Sequence, residues 1–136
     1  YDTSVEDGYS SNYKKYAKAI AAAEKKATDF AYIFRMRYEY CRVMELKYDL
    51  GVKTRELYQT GDKEGLRTLV KTVYRPLVKR IKRFYDAYSV QWFTENKPFG
   101  FDLVDVRYGG VISRIDTAHY QYNMHHIPQR CHLRMA

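Results

Sequence analysis

Between Leu66 and Trp92 an apolar side chain returns at every third or fourth place: Leu66, Leu69, Val70, Val73, Leu77, Ile81, Phe84, Tyr85, Tyr88 and Trp92. That spacing holds over about seven turns of helix and cannot be laid on a strand, whose faces alternate every second residue. The chain is thereby committed to one long amphipathic helix that must bury its stripe against another layer. Seven Gly and three Pro in 136 residues are too few breakers to separate many short strands, so the partners expected are further helices. Pro76 falls inside the pattern and removes the amide bond back to Thr72, which predicts a kink rather than a stop. The pattern ends at Asn96, before Lys97 and Pro98.

The rest of the chain supplies those partners. Ser10, Ser11 and Asn12 are cap-type residues ahead of Tyr13, Tyr16, Ala17, Ile20, Ala23 and Ala27, predicting a first helix from near Asn12 with residues 1–11 as a flexible lead-in. Thr28 and Asp29 read either as a cap or as an unbroken passage into a second helix. That helix carries Phe30, Ile33, Phe34, Tyr38, Cys41 and Tyr48 on one side and Tyr32, Met36, Tyr40, Val43, Leu46 and Leu50 on another, the pattern of a central rod. Gly51 is a flaw in this region, and TGDKEG at 60–65 is a turn with Asp62 or Thr60 as the next cap. After WFTENKPFG, a last helix is expected from about Asp102 to Tyr122, capped by Asp102. Gly109 and Gly110 each weaken it by up to about 1 kcal/mol relative to Ala, which suggests that another backbone approaches there. Residues 123–136, with HHIPQRCHLRMA, read as an irregular tail. The expectation is an all-α, antiparallel bundle of three to four long helices forming a single domain over 1–136.

Composition limits the function classes. Hydrophobic residues make up 46% of the chain and aromatics 16%, enough for one buried core. No window holds the 18 or more apolar residues of a membrane span, and no signal-peptide pattern opens the chain, so a soluble, cytoplasmic protein without membrane contact is expected. Cys41 and Cys131 lack CxxC spacing, which fits a reducing compartment. The start at Tyr1 suggests a piece of a longer protein.

Each candidate site in the sequence also has a plainer reading. The net charge is +8, and Lys71, Arg75, Lys79 and Lys82 fall within roughly one third of the helix circumference. Such a stripe could meet nucleic acid or an acidic partner. Mixed charges elsewhere and the lack of a nucleic-acid motif favour a solvated outer face instead. His119, His125, His126, His132 and Cys131 could be metal ligands, but none stand one helical turn apart, so no metal or cofactor is expected. The 15 Tyr could stack on sugars or bases, yet most lie on core-facing sides and are expected to fill the bundle. Glu39 with Glu45, or Asp102 with Asp105, is a conceivable acid pair without a supporting motif. No nucleophile elbow and no phosphate-cradling Gly loop appear, so no catalytic residue is assigned.

Two segments carry a resemblance. LKYDLGVKTRELYQTGDKEGL at 46–66 and QWFTENKPFGFDLVDVRYGGVISRI at 91–115 resemble the C-terminal helical domain of bacterial β-N-acetylhexosaminidases of glycoside hydrolase family 20. The shared features are Lys47, Leu50-Gly51, Tyr58 before Gly61-Asp62-Lys63, Trp92, Glu95-Asn96-Lys97-Pro98, Gly100, Asp105, Arg107 and Gly109-Gly110. In that family a Glu protonates the glycosidic oxygen while an adjacent Asp orients the substrate's own 2-acetamido group. No Asp-Glu dipeptide occurs in this chain. The resemblance therefore implies a non-catalytic C-terminal module that buttresses the catalytic barrel or mediates dimerisation, with no catalytic residue to carry over. It further implies that Trp92 and Phe99 anchor the break between the last two helices. Asn96 and Lys97 would cap the ended helix or reach a neighbouring surface. Asp105 and above all Arg107 would contact the barrel or a second subunit. The departure from the family pattern after Tyr120 leaves the tail without an assigned role.

Overall fold

A computed structural model describes residues 9–123, which form six α-helices, one π turn and no strand. The helices are α1 (Tyr9–Glu24), α2 (Ala31–Lys47), α3 (Leu50–Thr60), α4 (Lys63–Leu69), α5 (Arg75–Glu95) and α6 (Phe101–Asn123), with the π turn at Val70–Tyr74 joining α4 to α5. Cross-helix pairings run in opposite directions along each neighbouring pair. Glu24 meets Arg35 and Tyr13 meets Tyr48 between α1 and α2. Between α2 and α5, Tyr32 meets Glu95 and Glu45 meets Arg80. Between α5 and α6, Tyr88 meets Phe101 and Arg75 meets His119. The result is an antiparallel all-α bundle in which α5 takes the central place, touching both α2 and α6.

The long periodic stripe explains that position. Leu66, Val70, Leu77 and Ile81 are all but fully buried, and Val70, Leu77 and Ile81 share one core with Met36, Val43, Leu50, Phe84 and Ile115. Each such side chain contributes about 1.5–3 kcal/mol by leaving water. A half-buried polar clasp fixes the register of α2 on α5. Arg80 Nη1 donates to the Arg42 carbonyl at 2.6 Å and to Glu45 Oε2 at 3.0 Å, while Arg42 reaches the same carboxylate at 2.7 Å. Charge-assisted bonds of this kind are stronger than neutral ones and need this geometry to offset desolvation. Glu39 and Glu45 are thus each tied to arginines, Glu39 through Arg35 at 3.9 Å, and do not form an acid pair.

Local chemistry sets the turns. Gly61 closes α3 in a left-handed conformation (φ +70°), its N–H reaching back to the Leu57 and Tyr58 carbonyls. Of the two cap candidates, Asp62 serves: its carboxylate accepts from the Gly65 amide at 2.8 Å, whereas the Thr60 hydroxyl donates back into its own helix at Glu56 and Leu57.

Four expectations change. The first helix already includes Tyr9, inside the segment expected to be a flexible lead-in; there Tyr9 stacks on Tyr48 and Tyr13 packs at a tilt against the same ring. Thr28 and Asp29 lie in a break but cap nothing; Phe30 precedes α2 without a side-chain cap bond. The central rod is interrupted at Tyr48–Asp49, not at Gly51, which sits within α3; Asp49 then pairs with Lys53 at 2.6 Å. The irregularity expected at Pro76 takes the form of the π turn just before it. There the Arg75 amide bonds the Val70 carbonyl five residues back, and the widened backbone precedes a residue that has no amide to offer. Residues 124–136 of the expected tail, with His125, His126, Cys131 and His132, lie outside the described residues.

Candidate interdomain surface

The break between α5 and α6 is built around Trp92. Glu95 ends α5; Asn96 turns extended (φ −127°, ψ 161°) while its amide still reaches the Trp92 carbonyl at 2.7 Å. The Trp92 indole N–H donates to the Lys97 carbonyl at 3.1 Å, stapling the loop to the helix it leaves. Asn96 and Lys97 therefore serve the turn through their main chains, and both residues are exposed. Gly100 follows at φ +92°, a left-handed value that an L side chain adopts only with strain. Its backbone returns the chain so that Phe101 lands on Tyr85, Tyr88, Trp92 and Phe93.

Trp92 anchors the break as expected, but Phe99 does not. Phe99 is 95% exposed, whereas Phe101, which the sequence reading does not single out, is 6% exposed and closes the aromatic cluster. Gly100 reverses the chain between them, so two phenylalanines two places apart face opposite ways. Asp105 points back to α5, where it accepts the Tyr85 hydroxyl. That bond, with burial second, pushes the Tyr85 phenol above its ordinary value. Arg107 is exposed and forms no ion pair with an acid among the described residues.

The outward side of α6 adds what the sequence reading missed. Leu103, Val106, Gly110, Ser113, Thr117 and Tyr120 follow one another at intervals of three and four, so they form one stripe. Leu103, Val106 and Tyr120 are 62%, 73% and 65% exposed, and no charged side chain interrupts the stripe. Asp102 and Asp116 border it on one side and Arg107 and Arg114 on the other, by helical rotation. A Cβ placed on Gly109 or Gly110 would meet nothing within 4 Å. Among the described residues no backbone approaches the pair, which opens outward along a shallow groove shared with Ser113, Thr117 and Tyr120.

The other candidates fall elsewhere. Arg75, Lys79 and Lys82 line a groove against α6, where Arg75 Nε donates to His119 Nε2 at 2.7 Å. A further groove between α3 and α4 is lined by Lys53, Glu56, Leu57 and Thr72 and brings no pair of acids together. Among the described residues no three His, Cys, Asp or Glu side chains could jointly hold a metal ion, and no helix is long and apolar enough to cross a membrane. Many tyrosines are half-buried at the bundle margin, packed edge-on or tilted against one another as Tyr85 and Tyr88 are against Tyr108.

The sequence profile of the Glycoside Hydrolase 20C C-terminal domain matches residues 1–133, essentially the whole chain. The chain belongs to that family. No curated protein matches it in sequence. As a glycoside hydrolase 20C C-terminal domain, it has the all-helical architecture that the resemblance implied. An accessory place beside a catalytic domain of a larger protein accords with this membership. Of the residues that carry the resemblance, Trp92, Gly100 and Asp105 act within the domain itself, while Arg107, Gly109 and Gly110 open outward.

Proposed function

We propose that this chain is the non-catalytic helical module of a β-N-acetylhexosaminidase-like glycoside hydrolase, and that it docks on the parent's catalytic domain through the outward face of α6. The observation that carries this reading is the uncharged stripe Leu103, Val106, Gly110, Ser113, Thr117 and Tyr120, left open by the bundle and continued at the loop by Phe99. An apolar strip with small residues at its middle suits close packing against a neighbouring element, and Arg107 at its edge suits a polar contact at the rim. The free thiol of Cys41 in the core fits a cytoplasmic parent.

The charged borders favour a second reading, in which the stripe meets a second copy. If two α6 helices lie parallel across a two-fold axis, the border with Asp102 and Asp116 faces the border with Arg107 and Arg114, which pairs opposite charges. Substituting Val106→Asp in the full-length parent tests both. Because Val106 is 73% exposed, the stability of the 136-residue chain on its own, read by thermal melting, should change by no more than about 0.5 kcal/mol. In the parent, loss of joint unfolding with the catalytic domain supports barrel docking, and conversion of dimer to monomer in sedimentation supports self-association. A parent whose melting, assembly and hexosaminidase activity all remain unchanged would refute the use of this face.

A further inference from the structure

We infer that the groove between α5 and α6 binds the oxyanion of a small sugar ester, phosphate or sulfate. The groove has a volume of about 400 Å³, with Arg75, Lys79 and Lys82 projecting from successive turns of α5 and Asp116 and His119 standing on α6. None of these three cations pairs with an acid among the described residues, whereas Arg35, Arg42, Lys53, Arg67 and Arg80 all do. Positive charge gathered without acidic partners along a concave wall raises the local concentration of anions and binds them more strongly than a convex surface does.

The arrangement is more than a patch. A guanidinium can only donate, so His119 Nε2 accepts from Arg75 Nε at 2.7 Å, and this bond ties the arginine across to α6. Its terminal nitrogens keep the fork that matches two oxygens of a phosphate or sulfate, and Lys79 and Lys82 supply point charges further along. Val78 and Ile115 form a carbon floor between the walls, and Asp116 opposite the cations can accept from a hydroxyl. A ligand that satisfies all of these carries an oxyanion at one end, a hydroxyl at the other and a carbon face between, which describes a sugar ester better than a bare ion. This inference shares only Asp116 with the border of the α6 outward face and does not depend on that face being covered.

The test is an NMR titration of the isotope-labelled full chain with glucose 6-phosphate, glucose 6-sulfate, inorganic phosphate and glucose. The expected result is saturable shifts at the amides of Val78, Lys79, Ile115 and Asp116, with one or both esters about tenfold tighter than inorganic phosphate, and glucose without effect. The difference between the two esters tells phosphate from sulfate as the preferred source. Arg75→Gln and the double change Lys79→Gln with Lys82→Gln should each weaken binding at least about fivefold. The exposed lysine pair decides the matter if Arg75→Gln disturbs the fold. Asp116→Asn should remove the preference for the ester over the inorganic ion. Shifts that fail to saturate or spread over all surface lysines would overturn the inference. Weakening of the same size by Lys18→Gln on α1 would do the same, as would a short DNA duplex bound more tightly than either ester.

Discussion

Replacing Phe101 and Phe99 in turn separates a residue that holds the α5–α6 junction from one that only lies beside it. Phe101 is 6% exposed among Tyr85, Tyr88, Trp92 and Phe93, its ring centroid 4.7 Å from that of Phe93. Burial of roughly 200 Å² of aromatic surface at about 25 cal/mol per Å² amounts to about 5 kcal/mol, reduced to roughly 3–4 because the denatured chain already hides part of it. Measured Phe-to-Ala losses in cores, about 3–5 kcal/mol, bracket that figure. Phe101→Ala should therefore lower the melting temperature by roughly 10–20 °C in a domain of this size. Phe99→Ala, at 95% exposure, should change stability by no more than about 0.5 kcal/mol. Urea unfolding of both variants, followed by circular dichroism, reads the two numbers directly. Equal losses, or a larger loss from Phe99→Ala, would refute the account of how Gly100 reverses the chain.

Two further perturbations test the turn chemistry and the tyrosine margin. Asp62→Ala removes the carboxylate that accepts the Gly65 amide and should cost about 1 kcal/mol, read as a lower urea midpoint; Gly65→Ala should cost at least as much, since its Cβ would stand 2.5 Å from Asp62 Oδ2 and 2.6 Å from Leu57 Cδ2. In alkali, burial holds the phenols of Tyr13, Tyr108 and Tyr122 above the ordinary value of 10.0, and the bond to Asp105 does so for Tyr85. The unfolded chain then gives up these protons first. Stability is full below that ordinary value and falls as pH rises through the folded values, and Cys41, raised from 9.0 by burial, starts the decline slightly earlier. A urea midpoint that stays flat between pH about 9 and 11 would contradict this, and Tyr85→Phe should shallow the slope.

The helices were legible because burial and periodicity coincide where a helix packs on one side. Leu66, Val70, Leu77 and Ile81 stand where their spacing places them, and Asp62 caps where its type and position predict. The misreadings share a different cause. Whether Gly51 or Tyr48–Asp49 interrupts the central rod depends on how α3 meets the π turn, where the Thr54 and Tyr74 hydroxyls lie 2.9 Å apart. Spacing within one helix carries no record of such a contact. The choice between Phe99 and Phe101 rests on one left-handed residue, Gly100, and a phenylalanine in a loop has no period to reveal which way it faces. The stripe from Leu103 to Tyr120, by contrast, was visible as a pattern of threes and fours. It stays hidden when a helix is searched only for the side that turns inward.

That outward stripe also bears on the two glycines. Gly109 and Gly110 each cost α6 about 1 kcal/mol relative to Ala, and neither recovers it through a turn, a positive φ or a close neighbour among the described residues. A helix of 23 residues packed on α5 along one side tolerates that loss, but tolerance is not a reason for two adjacent glycines. Lacking side chains, they let an apposed surface come nearer to the α6 backbone than any other residue would permit, and Ser113 and Thr117 extend the same low strip one and two turns on. Contact at that distance gains dispersion energy along the whole strip and excludes water from Leu103, Val106 and Tyr120. Among the described residues nothing collects that gain, and under the proposed docking of α6 it is the apposed surface of the catalytic domain that would collect it.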